Sequence, residues 1–131
     1  MSVVDASLLI DVLVGLPAGA PWRRWVVTSD ALAAPDCVGV EVGRYLRRHT
    51  LVGEVSPKDA LHSLDVFREL GVEIYPTGPL LTQALALRNN FTFDDALYVA
   101  LAQQLEEPLA TTDARLARAA AGAGVPLVSP A

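Results

Sequence analysis

The chain has 131 residues, 52% of them apolar, with fifteen acidic against ten basic side chains and a formal net charge of −5. That length suits one domain able to bury roughly two-thirds of its unfolded surface, and the acidic balance excludes a nucleic-acid binder that works through overall charge. The single cysteine, Cys37, excludes an internal disulfide and a multi-cysteine zinc site.

Taken in order, Ser2 to Val4 is a short β-prone run that ends at Asp5. Residues 6–14 carry apolar groups at helical spacing and are closed by Gly15 and Pro17. Pro21 is placed to open a short second helix with Trp22, Trp25 and Val26 on one face. Leu32 to Ala34 is strand-like and stops at Pro35. Residues 36–49 form a third helix with Val38, Val42, Tyr45 and Leu46 on its apolar side. Ser56-Pro57-Lys58-Asp59 is a capping box with a first-turn proline, opening a helix that runs to about Leu70.

Val72 to Tyr75 is again strand-like, and Pro79 starts a helix through about Arg88. Thr92 opens a helix apolar enough to be a core element, with no charged residue from Ala96 to Leu105. Leu109 to Thr111 is a strand, a helix from Asp113 ends near Gly122 or Gly124, and Val125 to Val128 is a last short strand. Strands alternate with helices throughout, so the expected fold class is α/β, a parallel sheet flanked by helices, in a single domain 1–131.

The mean hydropathy of +0.36 slightly exceeds the usual balance of soluble domains and hints at apolar surface covered by a partner, although twenty alanines account for much of it. No basic region precedes the first apolar run, which Asp5 and Asp11 interrupt, so no export signal is read. No uncharged apolar stretch approaches the roughly 18 residues of a membrane helix. A cytoplasmic protein is expected. Nine of the ten basic residues are arginine, a bias that forked phosphate contacts or a GC-rich genome would both produce.

Several acids stand at helix starts. Asp5, Asp113 and the Asp94-Asp95 pair can each serve as caps or first-turn acids, with Asp95 completing a Thr92-x-x-Asp95 box. Glu41 differs, because it lies about one turn inside its helix, where its bland role is an ion pair with Arg44. In open parallel sheets the carboxyl ends of the strands gather into one site, and Asp5 and Asp113 fall at two such ends. Carboxylates drawn together there repel unless a cation lies between them. Hard oxygen ligands suit Mg²⁺ or Mn²⁺, which activate water for attack on a phosphodiester. Neither His49 nor His62 has metal-ligand or triad spacing, and both read as surface residues.

The set VVDASLLID, Glu41 in VEVGRYLRR, FDDALYVALA and TTDARL resembles the PIN-domain family, most of all the bacterial VapC toxins of type II toxin–antitoxin pairs. The resemblance covers nearly the whole chain and implies a PIN-like three-layer α/β/α fold with a small, mainly parallel central sheet. It implies an endoribonuclease dependent on Mg²⁺, or on Mn²⁺, with Asp5, Glu41, Asp95 and Asp113 as catalytic and metal-holding acids. Asp95 takes that role over Asp94 because the family's acid directly precedes the Ala-x-Tyr segment, here Ala96-Leu97-Tyr98; Asp94 stands where an aromatic is common. Thr111 matches the Thr-x-Asp element, where it orients Asp113.

The same resemblance implies a homodimer, an RNA substrate and a cognate antitoxin that masks the acidic site. Arg44, Arg48 and Arg115 are candidate contacts to RNA phosphate, while Arg47 reads as solvated. Trp22 and Trp25 are candidates for an antitoxin groove, with core packing as their bland role. Two other readings compete. A receiver-like phosphoacceptor needs a lysine near a late strand end, and the only lysine, Lys58, opens a helix. A non-catalytic binding module, its acids merely capping helices, leaves Glu41 unexplained.

Overall fold

A computed structural model describes residues 1–130. Four strands, β1 (Ser2–Val4), β2 (Leu32–Pro35), β3 (Glu73–Tyr75) and β4 (Leu109–Ala110), form one sheet in the order β3-β2-β1-β4. Every pairing is parallel, with Val3 opposite Ala33 on one side and Leu109 on the other. Val3, Val4, Ala33, Ala34, Leu109 and Ala110 are wholly buried. Strands buried on both faces need helices on both faces, which is what a parallel sheet requires.

Seven helices supply that cover: α1 (Ala6–Val14), α2 (Arg23–Thr28), α3 (Val38–Leu51), α4 (Pro57–Glu69), α5 (Leu81–Ala86), α6 (Phe93–Leu105) and α7 (Ala114–Gly122). The run Ala96–Ala102 of α6 is buried without a break, so this helix is the central stem of the core. It packs against β1, β2 and β4. Gly15 ends α1 in the left-handed region at φ 82°. The chain then turns back through a 3-10 segment, Pro17–Trp22, that lies hard against α1. Among the described residues, no helix is long and apolar enough to cross a membrane.

The α/β class and the alternation of elements are as expected, and four local expectations are corrected. The third helix begins at Val38 rather than residue 36, because the Asp36 N–H is committed to the Tyr75 carbonyl at 2.8 Å, holding the chain to the sheet end. Pro21 does not open a helix but sits inside the 3-10 segment, and α2 starts at Arg23. The helix expected from Pro79 to Arg88 is a 3-10 turn, Gly78–Leu80, followed by a shorter α5. The last strand reduces to a single parallel bridge between Leu127 and Leu109. Pro126 explains that loss, because it lacks the N–H a longer ladder would need.

Candidate active site

The strand order locates the site. From β1 the sheet grows outward through β2 and β3, and the chain then returns to set β4 on the other side of β1. The direction of growth therefore reverses between β1 and β4, the position at which parallel α/β sheets open a crevice beyond their carboxyl ends. Asp5 follows β1 directly and Thr111 follows β4. Their backbones are joined by the Asp5 N–H to the Ala110 carbonyl at 3.2 Å.

Asp5 is 5% exposed and is held by three donors. One oxygen accepts from the Leu8 N–H at 3.1 Å, capping α1. The other accepts from the Ser7 and Thr111 hydroxyls, each at 2.7 Å. Burial raises its pKa from the ordinary 3.8 to about 6, against the lowering effect of these donors, and the Asp95 charge adds to the rise. Thr111 also accepts from the Asp113 N–H at 3.0 Å, so one hydroxyl ties the two strand-end acids together. Thr112 reaches Ser7 at 3.3 Å and closes this polar web.

Asp113 caps α7, its Oδ1 accepting from the N–H groups of Arg115 and Leu116 at 2.9 and 3.1 Å. Asp95 is not a cap: Thr92 takes that position and accepts from the Asp95 N–H at 3.3 Å. The Asp95 carboxylate is thereby free for other partners. It meets Arg115 at 3.2 Å, and the same guanidinium lies 3.9 Å from Asp113. Half-burial raises the Asp95 pKa above the ordinary value, and the Asp113 charge adds to this.

Glu41 approaches from α3. The ion pair with Arg44 that was its bland role does not form among the described residues; instead Tyr98 of α6 donates to Oε1 at 2.9 Å. Desolvation raises the Glu41 pKa, with Asp94 and Asp95 contributing repulsion. Asp94 is exposed in the first turn of α6. Sequence reasoning missed Ser7, Thr112 and Tyr98. Tyr98 carried a usable signal, since it follows Asp95 by three residues and so shares its side of the helix.

Arg44 and Arg48 are exposed on α3, and Arg47 borders a groove between α3 and α4. Trp22 is 7% exposed and meets Trp25 edge-on with ring centroids 5.2 Å apart, which places Trp22 in the core rather than on a partner surface. His62 is exposed, whereas His49 is half-buried, stacked on Tyr45 and bonded to Glu54, so it is not the plain surface residue expected.

Asp5, Glu41 and Asp95 each feel the charge of a neighbouring acid, yet among the described residues no three histidine, cysteine or acidic groups lie close enough to hold a metal ion as a ready-made cluster. Arg115 stands between Asp95 and Asp113. In donor chemistry the set fits a hard divalent cation: all four are oxygen ligands, and burial has raised the pKa of three in a way that a nearby positive charge would reverse.

The PIN-domain family model matches residues 2–122. The chain belongs to the PIN-domain family. This PIN domain is 43% identical over 118 residues to Ribonuclease VapC1 of Mycobacterium tuberculosis, a match covering 89% of each chain. Its fold is shared by PAE2754 from Pyrobaculum aerophilum, with a TM-score of 0.69 and 22% identity over 90% of this chain and 78% of that one. A toxin–antitoxin complex from Klebsiella pneumoniae gives a TM-score of 0.68 and 18% identity over 100% and 98% of the two chains. At those identities the two structures speak for the fold of the PIN domain.

Proposed function

We propose that this PIN domain is a Mg²⁺-dependent endoribonuclease of the VapC type, the toxin of a toxin–antitoxin pair, with Mn²⁺ as an alternative cation. One observation carries the reading. At the reversal point of the sheet one hydroxyl, Thr111, joins Asp5 to the backbone of Asp113, and Arg115 reaches both Asp113 and Asp95, in a PIN domain that is 43% identical to a ribonuclease.

Asp5, Asp95 and Asp113 would hold the cation, with Glu41 completing the set as ligand or by orienting water. Bound there, Mg²⁺ supplies the Lewis acidity that attack of water on a phosphodiester requires. The chain's own groups do the rest. Ser7 and Thr111 keep Asp5 oriented and help it stay ionised, and Thr111 fixes the backbone from which Asp113 projects. Arg115, 62% exposed at its side chain, has the freedom to leave Asp95 and take an RNA phosphate when positive charge enters the site. Arg44 and Arg48 extend a basic path along α3 for the same strand of RNA.

The partner reading rests on exposed apolar surface. A groove of about 400 Å³ between α3 and α4, lined by Leu46, Ala60, Leu61 and Leu64, suits an apolar antitoxin helix. Leu81 and Leu85 on α5, about half exposed, suit a homodimer contact. The competing reading, a module whose acids only cap helices, accounts for Asp5 and Asp113 but not for Glu41 or Asp95, which cap nothing.

The test is cleavage of RNA by the purified protein with and without Mg²⁺, wild type against Asp5→Asn. Loss of cleavage by at least about a hundredfold in a folded Asp5→Asn variant is expected, in the range seen when one group that stabilises transition-state charge is removed. Equal residual cleavage in the two proteins would trace the activity to a contaminating nuclease and defeat the reading.

A further inference from the structure

Tyr98 is 1% exposed, among the most deeply buried large side chains of the chain. A residue there that served packing alone could be phenylalanine, because a buried phenol must find a hydrogen-bond partner. The partner is the Glu41 carboxylate, 57 positions away in sequence, at 2.9 Å. Tyr98 lies three residues after Asp95 on α6, so the two side chains leave the helix about one turn apart and on the same side. The bond therefore sets where an acid of α3 sits relative to an acid of α6.

We infer that Tyr98 is a positioning residue for the acidic centre: its phenol holds Glu41 by one carboxylate oxygen and so sets the Glu41–Asp95 spacing that a divalent cation meets. A carboxylate has about four lone-pair sites, so one phenol leaves room for a ligand or an oriented water. Outer groups of this kind typically change metal affinity 10- to 100-fold when removed. The inference rests on the metal-centre reading above.

The experiment is calorimetric titration of the full chain with Mn²⁺, comparing wild type, Tyr98→Phe, Glu41→Gln and the double variant, alongside metal-free melting curves. The expected result is Mn²⁺ affinity lowered about tenfold or more in Tyr98→Phe, and no further loss when Tyr98→Phe is added to Glu41→Gln. A residue that merely tied α3 to α6 would lower the metal-free melting temperature and leave affinity alone. Equal affinity in wild type and Tyr98→Phe overturns the role of Tyr98 and leaves the metal centre standing. Wild type that takes up no Mn²⁺ overturns both.

A measurement on the wild type does not depend on the variant folding. With Mg²⁺ titrated in, the ring signals of Tyr98 should move with saturation of the site, while Tyr45 and Tyr75, the other two tyrosines, serve as internal references. Tyr98 signals that stay fixed at saturating Mg²⁺ also overturn the inference.

Discussion

At Asp5 one carboxylate serves both the fold and the site. Its Oδ1 closes the start of α1, while its Oδ2 gathers Ser7 and Thr111 from the two strand ends. The capping role was legible from a Val-Val-Asp run before an apolar helix; the clasp to Thr111, 106 positions away, was not. Burial raises the folded-state pKa to about 6 from an ordinary 3.8, so the folded chain binds this proton more tightly than the unfolded one. The stability linked to that proton is fully present below pH 3.8 and is lost as pH rises through about 6. At pH 8 the ionised carboxylate costs on the order of 3 kcal/mol in the metal-free fold. Asp5→Asn removes that charge, and hydroxyls can turn to accept from an amide. The metal-free variant should therefore melt above wild type at pH 8, with the gap closing toward pH 4. A variant that melts lower across this whole range would show that the three donors matter more than the buried charge.

Asp95 and Glu41 carry a different lesson at the same scale. With Thr92 as the cap, Asp95 is released from any backbone duty; the local pattern offered it only as part of a Thr92-x-x-Asp95 box, and the family resemblance gave it another role. Glu41 was singled out because no cap needed it, and the bland alternative, an ion pair with Arg44, is not what it forms. Helical spacing offered Arg44, whereas the actual donor, Tyr98, comes from another helix. Side-chain pairs within a helix follow from residue spacing. Pairs between helices follow from how two apolar faces pack, and no single stretch of chain contains that.

Among the elements, α1 and the 3-10 segment after it set the tightest constraint. Gly19 is buried where a Cβ would stand 2.4 Å from the Asp11 carbonyl carbon and oxygen and 2.7 Å from the Val12 nitrogen. These are backbone atoms, so the segment itself must move away to admit a methyl group. Gly19→Ala should lower stability by about 1–3 kcal/mol, the usual range for overpacking, read as a lower urea midpoint with an unchanged slope. An unchanged midpoint would mean that the 3-10 segment lifts off α1 freely. The elements that departed from expectation are short and rich in proline or glycine: Pro17–Trp22, Gly78–Leu80 and the residues around Pro126. The long periodic helices α3, α4 and α6 kept their places within about two residues, because a repeated apolar face fixes a helix more firmly than one turn residue does.

For the molecule as a whole, α3, α4 and α5 leave Val40, Leu51, Leu61, Leu81 and Leu85 exposed. Leu61 is 64% exposed on the rim of the α3–α4 groove, and the far wall carries Leu46. If an antitoxin helix fills this groove, Leu61→Asp should weaken the complex with the cognate antitoxin by about 1.4–2.8 kcal/mol, roughly 10- to 100-fold in Kd, while RNA cleavage by the free toxin is unchanged. A complex of undiminished affinity would move the antitoxin to another face. Trp22 and Trp25, the sequence candidates for such a surface, pair edge-on instead, with Trp22 in the core.

By itself the sequence determined the α/β class, the placing of acids at strand and helix ends, and the buried character of α6. Each of these follows from local patterns: apolar runs, capping residues and helical periodicity. Only the tertiary structure decided that β4 lies beside β1, and that choice brings Asp113 and Thr111 to Asp5. It alone brought Tyr98 to Glu41 and set Arg115 between Asp95 and Asp113. Strand order and helix packing are settled by burial summed over the whole chain. Contacts between residues 57 or 106 positions apart follow from that sum and from no local pattern.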